Sequence, residues 1–220
     1  GRIPDAGSPA IAVLALGKYG GRELTHGSDL DLVFVYDTPL DRESDGTKPL
    51  MTSAYNIRLS QRLLAALSAK TAEGALYEID MRLRPTGNKG PLAIGLDTFE
   101  HYYTHDAWIF EHMALTRGRV VAGPRGLSAR IDETVRSILT AERDPAELLA
   151  AVQAMRTRTA KQHRSSSPWE VKHWRGGLLD LEFIAQYLQL REAHRHPAVL
   201  DGNTAEAFRR LGAAGVLDDE

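Results

Sequence analysis

The chain contains 220 residues, enough for one large or two small domains with a buried core. Its net charge of −2 argues against a general nucleic-acid-binding protein, which needs a basic face to displace counterions from phosphates. Cysteine is absent, which excludes disulfides and fits a reducing cytoplasm, and the longest apolar run, residues 10–16, is too short to span a bilayer. Because the chain starts with Gly1 rather than Met, we expect a piece of a longer cytoplasmic protein.

Two apolar segments and a glycine-rich turn open the chain. Residues 10–16 predict a buried strand, residues 17–21 a tight turn, and Leu30–Tyr36 a second buried strand. Side chains alternate along a strand, so Asp29 and Asp31 share one face with Cα atoms about 7 Å apart. Two carboxylates at this separation can bridge a pair of Mg²⁺ ions of the kind used in phosphoryl and nucleotidyl transfer. The alternative is a pair of carboxylates that caps a turn.

A helix and a third strand come next. Leucines four residues apart in residues 53–67 predict an amphipathic helix. Alternation in residues 76–85 points four charged side chains to one side: Glu78, Asp80, Arg82 and Arg84. Asp80 is the best candidate for a third metal ligand on a neighbouring strand. The two arginines and Lys89 of the following loop are candidates for neutralising a triphosphate, and the alternative is that the arginines pair with structural carboxylates.

Strand signals nearly vanish after residue 91, and amphipathic helices replace them. Three are predicted, at residues 106–118, 146–160 and 178–190. Such helices must bury a face against one another, which predicts a helical bundle. We therefore predict an α/β domain over residues 1–95 and a helical domain, truncated at its C-terminus, over residues 96–220. Three serines before Pro168 predict a mobile loop at residues 162–169.

The order strand, turn, strand, helix, strand resembles the nucleotidyltransferase fold of DNA polymerase β and its relatives, an α+β fold. Five blocks spread in register from about residue 11 to 191 are similar to the bacterial glutamine synthetase adenylyltransferase family: GKYGGREL, SDLDLVFVYD, YEIDMRLRPTGNKGPL, AWIFEHMALTRGRVV and GGLLDLEFIAQYLQL. Members of that family hold two nucleotidyltransferase units, one removing AMP and one adding it. The acidic insert at residues 37–46, the block that starts at Asp80 and the block that starts at Ala107 resemble the AMP-adding, C-terminal unit.

The resemblance implies transfer of AMP from ATP to a tyrosine of glutamine synthetase, with Mg²⁺ or Mn²⁺ held by Asp29, Asp31 and Asp80. Asp80 would also help to deprotonate the attacking hydroxyl. Candidate nucleotide-binding residues are Gly17, Lys18, Gly20, Gly21, Ser28, Arg82, Arg84 and Lys89. The glycines let backbone N–H groups approach phosphates, although Gly20 and Gly21 could instead set the turn and Ser28 could cap it. A PII-type signal protein is an expected partner through other parts of the full-length chain, whereas nucleic acid and membrane are not expected.

Other interpretations remain open at this point. The same site fits the AMP-removing unit, a uridylyltransferase of a PII-type protein, which GKYGGREL and DMRLRP disfavour, or a catalytically silent regulatory module. His105–Asp106 matches the paired ligands of metal phosphohydrolases, but the further ligands of such a site are not evident. Asp180 and Glu182 border the nucleotide cleft in the resembled family, or simply favour the positive end of a helix dipole. Trp108 is expected in the core.

Overall fold

The computed structural model describes residues 11–70, 72, 74, 77–162 and 171–217. These residues form five strands: β1 (Ile11–Ala15), β2 (Leu30–Tyr36), β3 (Ile79–Asp80), β4 (Ala93–Gly95) and β5 (Arg119–Ala122). They also form eight α-helices: α1 (Gly17–Gly20), α2 (Thr52–Leu67), α3 (Leu96–His105), α4 (Ile109–Leu115), α5 (Arg125–Thr140), α6 (Pro145–Gln162), α7 (Leu178–Glu192) and α8 (Thr204–Ala213). The predicted loop at residues 162–169 lies, but for Gln162, outside the described residues.

The strands form one small mixed sheet in the order β3–β2–β1–β5. One edge of β2 pairs antiparallel with β1, which in turn pairs antiparallel with β5. The other edge of β2 pairs in parallel with β3 at its start and with β4 at its end. Val33, Phe34 and Val35 are at most 1% exposed, so both faces of β2 are covered. A strand buried on both faces has the continuous apolar sequence that made β2 predictable.

The predicted helix after β2 is confirmed, with an unexpected buried face. Leu63 and Leu64 pack against the cluster of Phe34, Tyr36 and Ala93 in the sheet. The fully buried positions of α2 are instead the small polar residues Thr52, Asn56 and Ser60, and Leu67 is 54% exposed. Small side chains at a spacing of four allow the helix backbone to approach its neighbours closely, which a leucine count does not reveal.

The near absence of strand signals after residue 91 hides two elements of the sheet. Two short strands follow, β4 and β5, and both belong to the same sheet as β1 and β2. Each has three or four residues, and its pairing is fixed by a partner far away in the chain rather than by a local pattern. The helices α4, α6 and α7 confirm the three predicted helices, with different ends.

The contacts divide the chain into two compact units. The first comprises residues 1–107 and 118–136, and the second comprises residues 108–117 and 137–220. In the second unit, Leu188 of α7 packs with Ala193, Val199 and Leu211 in an apolar cluster. The division into folding domains at residue 95 stays a prediction, because compactness does not measure which segments fold independently.

No helix within the described ranges is both long and apolar enough to cross a bilayer.

Candidate metal and nucleotide site

Three aspartates from two segments of the chain, one pair at the start of β2 and one about 50 residues later, meet at one end of the sheet. Asp31 of β2 lies directly beside Asp80 of β3 in the parallel ladder, and Leu30 N–H donates to the Glu78 carbonyl at 2.8 Å. Paired residues of adjacent strands project to the same face, so the register places both carboxylates together. Asp29 precedes Asp31 by two positions and joins them. Carboxylate oxygens of all three lie within 4.8 Å of one another.

The turn between β1 and β2 packs its backbone on this cluster. Gly17 starts the single helical turn α1 with φ of +52°, a left-handed conformation that glycine adopts freely. A Cβ atom at Gly17 would lie 2.1 Å from Asp31 Oδ2, so only glycine fits. The N–H groups of Gly20 and Gly21 donate to the carbonyls of Leu16 and Gly17 at 2.8 and 3.1 Å. These hydrogen bonds belong to the turn itself, and a role of Gly20 and Gly21 at phosphate stays a prediction.

An arginine that the sequence analysis missed holds the same turn from β5. Arg119 Nε donates to the Gly20 carbonyl at 3.0 Å, and its terminal nitrogen donates to the Tyr19 carbonyl at 2.8 Å. Its guanidinium also lies 5.5 Å from the centre of the Tyr19 ring. No local pattern marks this residue, because its partners lie about 100 positions away and only the β1–β5 pairing brings them together.

Asp80 is bound by Arg82. The Arg82 N–H donates to Asp80 Oδ1 at 2.7 Å and its Nε donates to Oδ2 at 2.7 Å. This hydrogen bond holds the pKa of the Asp80 carboxyl below its ordinary value against partial burial, with a smaller contribution from the charge of Arg84. The pKa of Arg82 is raised chiefly by the same bond and slightly by the charges of Asp29 and Asp31. Arg82 therefore acts as a counter-cation for the whole cluster.

The prediction of one strand through Arg84 is wrong. The chain leaves β3 after Asp80, where Arg82 closes a turn on the Asp80 side chain, and Pro85 then has no N–H to offer a ladder. Arg84 turns back and becomes 8% exposed, donating to the carbonyls of Met81 at 2.6 Å and Gly90 at 3.2 Å. Its guanidinium thus holds the loop together. Lys89, on the same loop, is exposed.

Ser28 and Lys18 belong to one small hydrogen-bond network around Thr25. Ser28 Oγ accepts from the Thr25 N–H at 3.0 Å and lies 3.0 Å from Thr25 Oγ1. Lys18 Nζ lies 3.5 Å from the same Thr25 hydroxyl. Ser28, 8% exposed, therefore caps the loop that leads into Asp29, and Lys18 stands at the edge of that loop.

The acidic residues of the GGLLDLEF block have partners inside the second unit. Asp180 is bound by the guanidinium of Arg156 and accepts from the Gly176 N–H at 2.7 Å. The Arg156 hydrogen bond lowers the pKa of Asp180 despite partial burial. Glu182 pairs with the buried Arg117 at 3.4 Å. These contacts give both carboxylates a structural task.

Trp108 does not lie in the core, and His105 and Asp106 do not form part of a metal site among the described residues. Trp108 is 68% exposed rather than buried, and its backbone N–H donates to Glu111 Oε2 at the start of α4. His105 stacks on His101, whose Nδ1 lies 3.8 Å from Asp106. Among the described residues, the aspartate cluster of β2 and β3 is the one group of three possible ligands close enough to share an ion.

The donor set of that cluster fits a hard divalent cation. All three side chains offer carboxylate oxygens, which are the ligands that Mg²⁺ and Mn²⁺ prefer. Three negative charges within 4.8 Å also repel one another, and a divalent ion would relieve this repulsion. Asp29, Asp31 and Asp80 are thus able to hold such ions.

Comparison with known proteins shows the family to which the chain is similar. The model of the glutamate–ammonia ligase adenylyltransferase family matches residues 3–134. The chain is 52% identical over 181 residues to a bifunctional glutamine synthetase adenylyltransferase/adenylyl-removing enzyme of Brucella suis, covering 82% of this chain. It is 44% identical over 207 residues to the protein of the same name from Rhodopseudomonas palustris, covering 94% of this chain. The chain spans only 18% and 21% of the lengths of these two relatives.

Proposed function

The chain belongs to the glutamate–ammonia ligase adenylyltransferase family, and on that premise we propose that it carries an ATP-dependent centre transferring AMP to a tyrosine of glutamine synthetase. The observation that carries this proposal is the convergence of Asp29, Asp31 and Asp80 beside the Gly17 turn. That arrangement joins a metal site to a backbone able to approach phosphate closely. The names of the two relatives supply glutamine synthetase as the target in this proposal.

We also propose that the first unit has the nucleotidyltransferase fold of the DNA polymerase β group. Support comes from the small mixed sheet, with two carboxylates at the start of one strand, a third on its parallel neighbour, and a glycine turn immediately before them. The helices of the second unit form the bundle that accompanies this fold in the proposal.

In the proposed reaction, the tyrosine oxygen attacks the α-phosphorus of ATP. The bond from that phosphorus to the bridging oxygen of the β-phosphate breaks, and pyrophosphate leaves. Bound Mg²⁺ or Mn²⁺ would supply charge neutralisation on the attacking and leaving oxygens. Asp29 and Asp31 would hold these ions from one side of the cluster. Asp80, kept ionised by Arg82, would be the third ligand of these ions and would help to take the proton of the tyrosine hydroxyl.

Cations near the cluster are the proposed contacts of the triphosphate. Arg82 is 72% exposed at its side chain, so it can leave Asp80 and turn to a phosphate when a divalent ion takes its place. Lys18 and Lys89 would approach the β- and γ-phosphates. The roles of Ser28 and Arg84 as phosphate ligands also stay predictions, and each would have to give up its present contacts.

The reverse activity is the second candidate, because the relatives are named for both adenylylation and adenylyl removal. In that reaction inorganic phosphate attacks the phosphorus of the adenylyl group, the bond from that phosphorus to the tyrosine oxygen breaks, and the products are ADP and the free tyrosine hydroxyl. The acidic insert at residues 37–46 and the DMRLRP block favour addition. We place the protein in the cytoplasm and expect a PII-type partner for other parts of a longer chain, with neither nucleic acid nor membrane as a ligand.

Two parallel assays decide between the directions. One incubates the protein with ATP, Mg²⁺ and unmodified glutamine synthetase and measures AMP on tyrosine. The other supplies inorganic phosphate and adenylylated glutamine synthetase and measures ADP. We expect AMP transfer in the first assay. ADP release in the second with no transfer in the first would reverse the direction, and inactivity of the folded protein in both would indicate a silent module.

A further inference from the structure

A pocket lined by basic residues lies between the loop that follows β2 and the helix α2. It has a volume of about 280 Å³ and shares no lining residue with the aspartate cluster. Its walls come from five loop residues between Ser44 and Leu50, with Asp45 and Pro49 not among them, and from one side of α2 between Tyr55 and Arg62.

The loop wall of this pocket is held in place by hydrogen bonds. Ser44, which is 6% exposed, donates its N–H to the Leu50 carbonyl at 2.9 Å, and its hydroxyl accepts from the Leu50 N–H at 3.0 Å. Glu43 and Met51 form an isolated antiparallel bridge just outside this pair. The Thr52 hydroxyl, fully buried, donates to the Pro39 carbonyl at 2.7 Å. The loop therefore returns to the start of α2 with a fixed shape.

All charged residues that line the pocket are positive. Lys48 comes from the loop, and Arg58 and Arg62 come from α2. None of the three forms an ion pair or a side-chain hydrogen bond with any residue in the described part of the chain. The two arginines are also four positions apart on one helix, a spacing at which like charges destabilise the helix. By contrast, Arg82, Arg130 and Arg156 each bind an aspartate.

We propose that this pocket binds a compact phosphate-type anion, either inorganic phosphate or pyrophosphate. Two guanidinium groups present forked donors that match phosphate oxygens, and Lys48 adds a third charge. A multiply charged anion offsets the repulsion between Arg58 and Arg62, which a single carboxylate does less well. Leu50 and Leu59 in the wall exclude water on one side and so strengthen the attraction.

Calorimetric titration and phosphorus NMR with phosphate and with pyrophosphate test this proposal. Both are done with the purified protein in EDTA, so that no divalent ion brings the anion to the aspartate cluster. Arg58→Gln and Arg62→Gln remove one charge each from exposed positions, and we expect about tenfold weaker binding for each. Arg158→Gln, at an exposed position of α6, is the matched control and should bind as the wild type does.

Further arms separate the sources of the signal. The ratio of the two affinities identifies phosphate or pyrophosphate as the preferred anion. Lys48→Gln on the loop provides a second variant that does not alter the helix, and circular dichroism checks the fold of each protein. Equal binding by the folded Arg58→Gln/Arg62→Gln double variant and the wild type would overturn the proposal. So would equal weakening by Arg158→Gln, or citrate binding as tightly as pyrophosphate.

Discussion

Replacing Gly17 with alanine should disable the aspartate cluster with only a modest loss of stability. The added Cβ would lie 2.1 Å from Asp31 Oδ2 and 3.0 Å from its Cγ, whereas real Cβ contacts stay beyond 3.0 Å. The carboxylate must therefore shift by about 1 Å, and a displacement of this size at a reacting centre costs about a hundredfold in rate. The left-handed φ of +52° adds about 1–2 kcal/mol of backbone strain.

Gly27→Ala is the matched control for this strain. Gly27 also has a positive φ, +77°, but an added Cβ there meets nothing within 4 Å. Both variants should lose similar stability in denaturant titrations, about 1–2 kcal/mol. Only Gly17→Ala should lose Mg²⁺ affinity and AMP transfer. If the two folded variants transferred AMP at the same rate, the close packing of Asp31 on the turn would have no role in the site.

The remaining predictions concern the third ligand, the clamp on the turn and the second unit. Asp80→Asn should keep the fold yet lower AMP transfer by about a hundredfold or more at saturating ATP, and normal turnover would remove Asp80 from the metal site. Arg119→Gln should cost about 1–2 kcal/mol of stability, because two hydrogen bonds to the turn are lost. Since Arg119 acts on the site only through the turn that it holds, the variant should raise KM for ATP more than it lowers kcat, and Arg119→Lys should restore part of the loss. Asp180→Asn should destabilise the protein by about 1–3 kcal/mol at neutral pH. Arg156 lowers the pKa of Asp180 in the folded protein. The stabilisation is therefore fully present at pH values above the ordinary pKa of an aspartate, and it is lost as the pH falls through the pKa of Asp180 in the folded protein. A difference in unfolding free energy between wild type and Asp180→Asn that stays constant down to strong acid would contradict this prediction.

The part of the site that depends on a local sequence pattern was predictable. Alternation along β2 places Asp29 and Asp31 on one face, and an apolar run buried on both faces identifies the strand itself. Asp80 required one further assumption, that the next acidic strand is a neighbour of β2, and the pairing of β2 with β3, with Asp31 opposite Asp80, confirms that neighbourhood. The role of these residues in catalysis stays a prediction.

Features that depend on distant partners were not predictable. Arg119 shows nothing in its own neighbourhood that marks it as a clamp, since both of its acceptors belong to α1. Alternation suggested that Arg84 faces a ligand, but the loop bonds to Met81 and Gly90 decide its direction. Trp108 stands at the N-cap of α4 and is 68% exposed, a placement that the general preference of tryptophan for the core does not predict.

The most direct measurement of the central claim uses ATP labelled at the α-phosphate, Mg²⁺ and unmodified glutamine synthetase. Wild-type protein is compared with Asp31→Asn, which changes one charge and almost no volume. We expect label on a tyrosine of glutamine synthetase with equimolar pyrophosphate for the wild type, and a loss of about a hundredfold or more for the folded variant. Undiminished labelling by Asp31→Asn would contradict the assignment of the aspartate cluster as the catalytic centre.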